Sequence, residues 1–278
     1  SHGGAIYLIT ASAIDVIKDS LFDGNSVSLA SGTDYCGGAI YSNSSSIGSV
    51  IGTTFTNNSA YNGGAIYMST TPANTLLNII DSTFTENTAM QYGGAIRLYN
   101  VDVGDITGTD FINNTISGAV KASGAAIYAT DNTPINNISD VTFENNGIVS
   151  SSTDSSAGGA VYVGGVIGSI TNTTFKSNYV NAALGSGSSG ALRLSGSVDE
   201  MSNLTFDGNY VIAKNGDAGA ATFVSETVGD FSHNIFKNNY VLSTGINNPA
   251  LAGALYLEST SFDNFSDVQF ENNYLHVT

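Results

Sequence analysis

The sequence predicts an all-β chain wound into a parallel β-helix, a solenoid of about nine coils of roughly 31 residues each. Two short motifs alternate from one end of the chain to the other. The apolar columns between them are broken by turn formers. The composition opposes a helical solenoid of the same period.

The first motif, Phe-x-x-Asn, occurs nine times, at Phe22/Asn25, Phe55/Asn58, Phe84/Asn87, Phe111/Asn114, Phe143/Asn146, Phe175/Asn178, Phe206/Asn209, Phe236/Asn239 and Phe270/Asn273. Successive Phe residues lie 27 to 34 positions apart. The second motif is Gly-Gly-Ala-Ile-Tyr or a near variant, with its Ala at 5, 39, 65, 95, 126, 160, 191, 220 and 254. Strict alternation of the two is the signature of a repeat architecture.

Each coil can be followed from its Gly-Gly-Ala. An apolar residue such as Ile66, Ile96 or Ile127 follows the Ala. Next comes the column Tyr7, Tyr41, Tyr67, Arg97, Tyr128, Tyr162, Arg193, Thr222 and Tyr256, and then residues such as Met68, Leu98 and Val163. That in-out-in alternation predicts a strand with one face buried. Two apolar columns follow, eight and five residues before Phe, as in Ile47 and Val50 or Ile167 and Ile170. The third residue before Phe is Asp19, Gly52, Asp81, Gly108, Asp140, Asn172, Asn203, His233 or Asp267, a column of turn chemistry. Two residues after the motif Asn, a further apolar column runs from Val27 and Ala60 to Val241 and Leu275.

Tetratricopeptide and ankyrin repeats have a similar period, but β-branched residues, Gly and Asn are poor helix formers. Short strands and tight corners fit better. Coils stacked at about 4.8 Å would build a rod roughly 43 Å long. The nine Phe residues are then expected to stack inside the bore. The motif Asn is expected at a corner, with a left-handed backbone and an amide bonded to the coils above and below. The Gly before each Ala, replaced once by Ala125, predicts a bend or a close backbone approach.

Alternating Gly-Gly-Ala-Ile and Phe-x-x-Asn tetrapeptides resemble the repeats of the polymorphic outer-membrane proteins of Chlamydia and of the archaeal adhesin-like proteins of gut methanogens. The resemblance runs from Gly3-Gly4-Ala5-Ile6 to Phe270-Glu271-Asn272-Asn273. It implies a right-handed, single-stranded parallel β-helix, an extracellular cell-surface location and a role in adhesion. The chain departs from the chlamydial pattern in having one Cys, and a carboxy-terminal barrel is not expected within these 278 residues. Its Thr/Asn/Ser-rich, Lys-poor style is similar to the archaeal group. Residues 1–278 are expected to form one β-helix domain, a piece of a longer rod or a subunit stacking end to end, since neither end offers an obvious cap.

Lys and Arg number 7 against 23 Asp and Glu, for a formal charge of −16, so phosphate-rich partners such as nucleic acid and anionic membranes are not expected. No run of 18 apolar residues exists to cross a membrane as a helix. The first residues show no signal-peptide pattern. Cys36 has no internal disulfide partner and reads as a small loop residue. The histidines His2, His233 and His276 share no metal-ligand spacing, and no metal or other cofactor is expected.

Right-handed β-helices also carry polysaccharide lyases and glycoside hydrolases, which need clustered acids for Ca²⁺ with a basic residue, or a facing carboxylate pair. The acid clusters are Asp102/Asp105/Asp110, Asp199/Glu200 with Asp230, and Asp263/Asp267. Turn chemistry accounts for Asp19, Asp81, Asp140 and Asp267, and no coil carries a long insertion, so no catalytic residue is expected. Gly185-Ser186-Gly187 reads as flexible linker. Two outward columns are the candidate binding surface for a glycan or a protein receptor, or for another copy of the chain: Tyr67, Arg97, Tyr128, Tyr162 and Arg193 on one strand, and Tyr179, Tyr210, Tyr240 and Tyr274 after the motif Asn. Seven Asn-x-Ser/Thr sequons, at Asn43, Asn57, Asn113, Asn137, Asn172, Asn203 and Asn264, could carry glycans in an archaeal or eukaryotic source.

Overall fold

A computed structural model describes residues 2–27, 35–70, 76–118, 121–216, 218–224, 227–245 and 250–277. The described residues form a right-handed parallel β-solenoid without helices. Four long sheets run along it. Sheet I collects the strands after each Gly-Gly-Ala, from Ile6–Ile9 to Leu255–Glu258. Sheet II runs from Ala13–Lys18 to Ser261–Ser266, and sheet III, which carries the Phe column, from Leu21–Asp23 to Gln269–Glu271. Sheet IV follows the motif Asn, from Ser59–Asn62 to Tyr274–Val277, with the short strand Ser156–Ala157 joined at its side.

Register is kept by chemically like residues. Phe84 pairs with Phe55 on one side and Phe111 on the other, and the same holds along sheet III. The rings stack at centroid separations of 4.6–5.1 Å, tilted by 2–14°. Each ring is sealed by its neighbours: Phe143 is 0% exposed, while Phe270, in the last coil described, is 50% exposed.

The motif Asn residues form the second column. Asn146 donates from Nδ2 to Asn178 Oδ1 at 3.1 Å and to the Phe111 carbonyl at 2.8 Å. Its own Oδ1 accepts from the backbone N–H of Asn114 at 3.0 Å and from Asn114 Nδ2 at 2.9 Å. Both donors and both lone pairs of the amide are used, and the pattern repeats from Asn58 to Asn239.

The left-handed corner residue is not this Asn, as the sequence suggests, but the residue before it. Gly24, Asn57, Glu86, Asn113, Asn145, Ser177, Gly208, Asn238 and Asn272 all have positive φ. The Asn itself is held by its ladder instead. The column three residues before Phe, from Asp19 to Asp267, has positive φ in every coil, as its turn chemistry predicts. Beside it runs a second ladder that the motifs do not announce. Thr53 and Ser82 hydroxyls accept the backbone N–H of Ser20 and Thr53, and the Asn234 amide accepts that of Leu204.

The Gly before each Ala marks a close approach. A Cβ on Gly38 would lie 2.0 Å from the carbonyl oxygen of Gly64. The bend belongs to the glycine one residue earlier, such as Gly37, at φ 69°.

The main core fills the space between sheets I, II and III. A second, separate core lies behind sheet IV and holds Ile116, Ile148, Val180 and Val211 with Ala182 and Ala213. The segment between the motif Asn and the next Gly-Gly-Ala varies in length from coil to coil. Six residues separate Asn58 from Ala65, but thirteen separate Asn146 from Ala160. The strand Tyr179–Ser188 doubles back: a Cβ on Gly187 would be 3.2 Å from Val180 Cγ1, whereas seven residues of straight strand span about 23 Å. Gly185-Ser186-Gly187 is thus part of a wall packed on alanines and valines, not a flexible linker.

Replacing Phe143 with Ala should cost about 3–5 kcal/mol, through lost transfer energy and a cavity between two rings that cannot close up. Asn146→Ala strands the Asn114 N–H and the Phe111 carbonyl, and should cost about 3 kcal/mol or more. Urea unfolding checks both, and a loss below about 1 kcal/mol in either would show that the columns do not hold the coils together.

Candidate functional site

The outward residues of sheet I build an aromatic ladder. Tyr7, Tyr41 and Tyr67 stack at 5.3 and 5.2 Å, and Tyr92, Tyr128 and Tyr162 at 4.6 and 5.1 Å. Arg97 joins the two runs. Its guanidinium lies 5.4 Å from the Tyr67 ring centre, 4.9 Å from that of Tyr92 and 5.8 Å from that of Tyr128. Tyr92 comes from the end of a sheet IV strand, so Arg97 also ties two sheets together.

Burial pushes the phenols of Tyr41, Tyr67 and Tyr92 above the ordinary tyrosine value, and that of Tyr128 up to about 12. Around Tyr67, Tyr92 and Tyr128 the charge of Arg97 acts in the opposite direction.

A second ladder stands on sheet IV. Tyr179, Tyr210, Tyr240 and Tyr274 stack at 5.3, 5.0 and 5.2 Å, with tilts of 11°, 4° and 5°. The Tyr179 ring lies over Gly147, where any side chain would collide with it. Burial raises the Tyr179, Tyr210 and Tyr240 phenols. In both ladders most ring faces are taken by neighbouring rings, so what meets solvent is chiefly a row of edges and hydroxyls.

Past Tyr162 the sheet I ladder opens into a cleft. Arg193 is the register partner of Tyr162, and its Nη1 donates to Ser188 Oγ at 2.9 Å. That bond draws the guanidinium toward the folded-back wall. The cleft, of about 170 Å³, is bounded by Tyr162, Arg193 and Lys121, with Ser123, Ser156 and Ser188 among its hydroxyls. Ser156 is 1% exposed, and its Oγ has no hydrogen-bond partner among the described residues. The strand alternation in the sequence points to Tyr162 and Arg193 but misses Lys121 and the serines, whose surroundings look like ordinary loop composition.

Charged residues on sheet III form another column that the sequence motifs do not mark. Glu144, Lys176, Asp207, Lys237 and Glu271 follow one another in register with alternating sign. Lys176 Nζ lies 2.8 Å from Glu144, and Lys237 Nζ 3.5 Å from Asp207. These pairs are exposed and worth little in stability, but a coil out of register would part them.

Among the described residues several acid groups on sheet II are held by neighbouring hydroxyls and amides. Glu200 and Asp230 are adjacent in register and accept from Ser202 and Ser232 at 2.7 and 2.9 Å. Asp105 accepts from Asn137 Nδ2 at 2.7 Å on the same sheet, away from Asp102 and Asp110 in neighbouring strands and turns. Asp263 and Asp267 are exposed, and Asp267 faces His233 at 3.4 Å. Among the described residues no three His, Cys, Asp or Glu side chains gather as metal ligands. Cys36 is buried, with Asn62 Nδ2 at 3.9 Å from its sulfur.

Residues 19–43, 52–69 and 81–98 match the Chlamydia polymorphic membrane protein repeat. A protein of Chlamydia pneumoniae named probable outer membrane protein pmp8 is 33% identical over 108 residues, a match covering 37% of this chain and 12% of that protein. The chain resembles the polymorphic outer-membrane proteins of Chlamydia. No solved structure matches it. Each matched block contains one Phe-x-x-Asn and one Gly-Gly-Ala-Ile. In this chain those residues of the polymorphic-protein repeat are cores and corners, so the signature fixes the coil and leaves the outward columns free to vary.

Tyrosine ionisation should report the ladder. A phenol whose folded value is raised keeps its full contribution below pH about 10 and loses it as pH climbs through the folded value, so stability should fall between about pH 10 and 12. Arg97→Gln should move ionisation of Tyr67, Tyr92 and Tyr128 to higher pH still. An ultraviolet titration that places these phenols at the free-tyrosine value, or is unchanged by Arg97→Gln, would contradict the stacked arrangement.

Proposed function

We propose that this chain is the rod of an adhesin-like protein displayed outside the cell at its surface, and that it works by multivalent contact without turnover. The observation that carries the proposal is the combination of a repeat shared with outer-membrane proteins and outward columns that recur once per coil. A stiff solenoid holds those columns at a fixed spacing. Weak contacts to a repetitive surface glycan or a receptor then add within one molecule, which raises avidity with no new kind of contact.

Further support comes from what occupies the columns. The edges and hydroxyls of Tyr179, Tyr210, Tyr240 and Tyr274 present an amphipathic strip, and Tyr67, Arg97, Tyr128, Tyr162 and Arg193 present another that includes the two arginines. Tyr and Arg are among the side chains that most often anchor binding surfaces. The paired acids on sheet II are engaged by Ser and Asn, which is the behaviour of a hydrated face.

Beads coated with the protein should attach to cells or to a cell-surface glycan preparation. Changing Tyr179, Tyr210 and Tyr240 together to Ala should abolish attachment through that strip while circular dichroism shows the solenoid intact. Full attachment by a folded triple variant would remove the strip from the function, and no attachment by the native protein would count against the rod as an adhesin.

A further inference from the structure

The seven basic residues of this acidic chain are not spread evenly over its chemistry. Lys176 and Lys237 are spent on the alternating column of sheet III, and Arg97 is sandwiched between tyrosines. Lys18 and Lys214 stand at separate exposed positions on sheets II and IV. Lys121 and Arg193 remain, and both line the cleft beside Tyr162, which no Asp or Glu among the described residues lines. Two cations without an acid, in a chain of net charge −16, form a local site for a negative group.

The rest of the cleft narrows the class of ligand. Tyr162 stacks on Tyr128 on one side, while its register partner on the other side is Arg193, whose guanidinium is held toward Ser188. One ring face is therefore left for a flat, partly apolar group. Ser155 and Ser186, exposed and half-buried, put hydroxyls on the cleft surface, while Ser156 is sealed behind them. The wall that closes the cleft carries Gly187, whose missing side chain lets the wall pack against Val180, Val211 and Ala213. At about 170 Å³ the space is well below that of a drug-sized pocket.

We propose that this cleft binds a single carboxylated sugar residue, of the uronic or sialic acid type. Its carboxylate lies against Arg193 and Lys121, its ring rests on the open face of Tyr162, and its hydroxyls meet Ser155 and Ser186. The inference deepens the surface-binding proposal above by naming the ligand class, and it places recognition across three adjacent coils rather than along the whole ladder.

The test uses oligosaccharides ending in glucuronic acid or sialic acid, immobilised beside the same sugars with the carboxyl converted to an amide. The native protein should bind one of the acids, and should bind its amide about tenfold or more weakly. Lys121→Gln, at an exposed position, and Arg193→Gln should each lose binding to a similar degree, with Arg193→Lys partly retained and thermal unfolding unchanged for Lys121→Gln. Equal binding to acid and amide, no binding to either acid, or native binding by both Gln variants would overturn the proposal. The same variants assayed as coated beads separate the two proposals: cell attachment that survives loss of sugar binding leaves the adhesin rod standing without the cleft. Sugar binding without attachment does the reverse.

Discussion

Axial register between coils is the constraint on which the rest of this molecule depends. Backbone hydrogen bonds alone would let one parallel strand slip past another by two residues and keep its faces. The Asn column forbids that. Its amides use every donor and acceptor on the coils directly above and below, so a slipped coil would leave several buried polar groups unpaired at roughly 1–3 kcal/mol each. Phe rings at 4.6–5.1 Å and the alternating charges of sheet III then repeat because the register is already set.

The columns are legible in the sequence because a solenoid places one coil's residue on the next, so that packing selects like for like. Phe, Asn and the apolar pair of sheet II can be read by aligning copies on a single residue. The left-handed corner reads one position late for a physical reason: Asn tolerates positive φ, and the motif Asn looks like the residue that needs it. The positions that take positive φ include Glu86 and Ser177, whose side chains give no such sign. At the other seven corners Gly or Asn stands, so local propensity does record the corner, one position before the motif residue that draws the eye.

The wall behind sheet IV is illegible for a different reason. Its Ser, Gly and Ala residues have the composition of a linker, and only their contacts with Val180, Val211 and Ala213 show that they bury a second core. Half of the cleft belongs to that wall. Tyr162 and Arg193 can be found from the strand alternation, whereas Lys121 and Ser156 are brought to them by the folding back of lengthened segments. A site that joins a periodic column to an irregular segment is visible from one side only until the chain is folded.

Net charge and local charge then act over different distances. At physiological salt, charges more than about 8 Å apart are largely screened, so most of the −16 does not reach the cleft. What an anionic ligand meets there is Arg193, Lys121 and a row of hydroxyls. A densely charged anionic polymer lying along the solenoid would meet the acidic coils, and like charges repel. A glycan with isolated carboxylates escapes that penalty, since one charge can sit in the cleft while neutral sugars cover the acidic coils around it. Selectivity for sparse over dense negative charge follows from a small basic cleft set in an acidic solenoid.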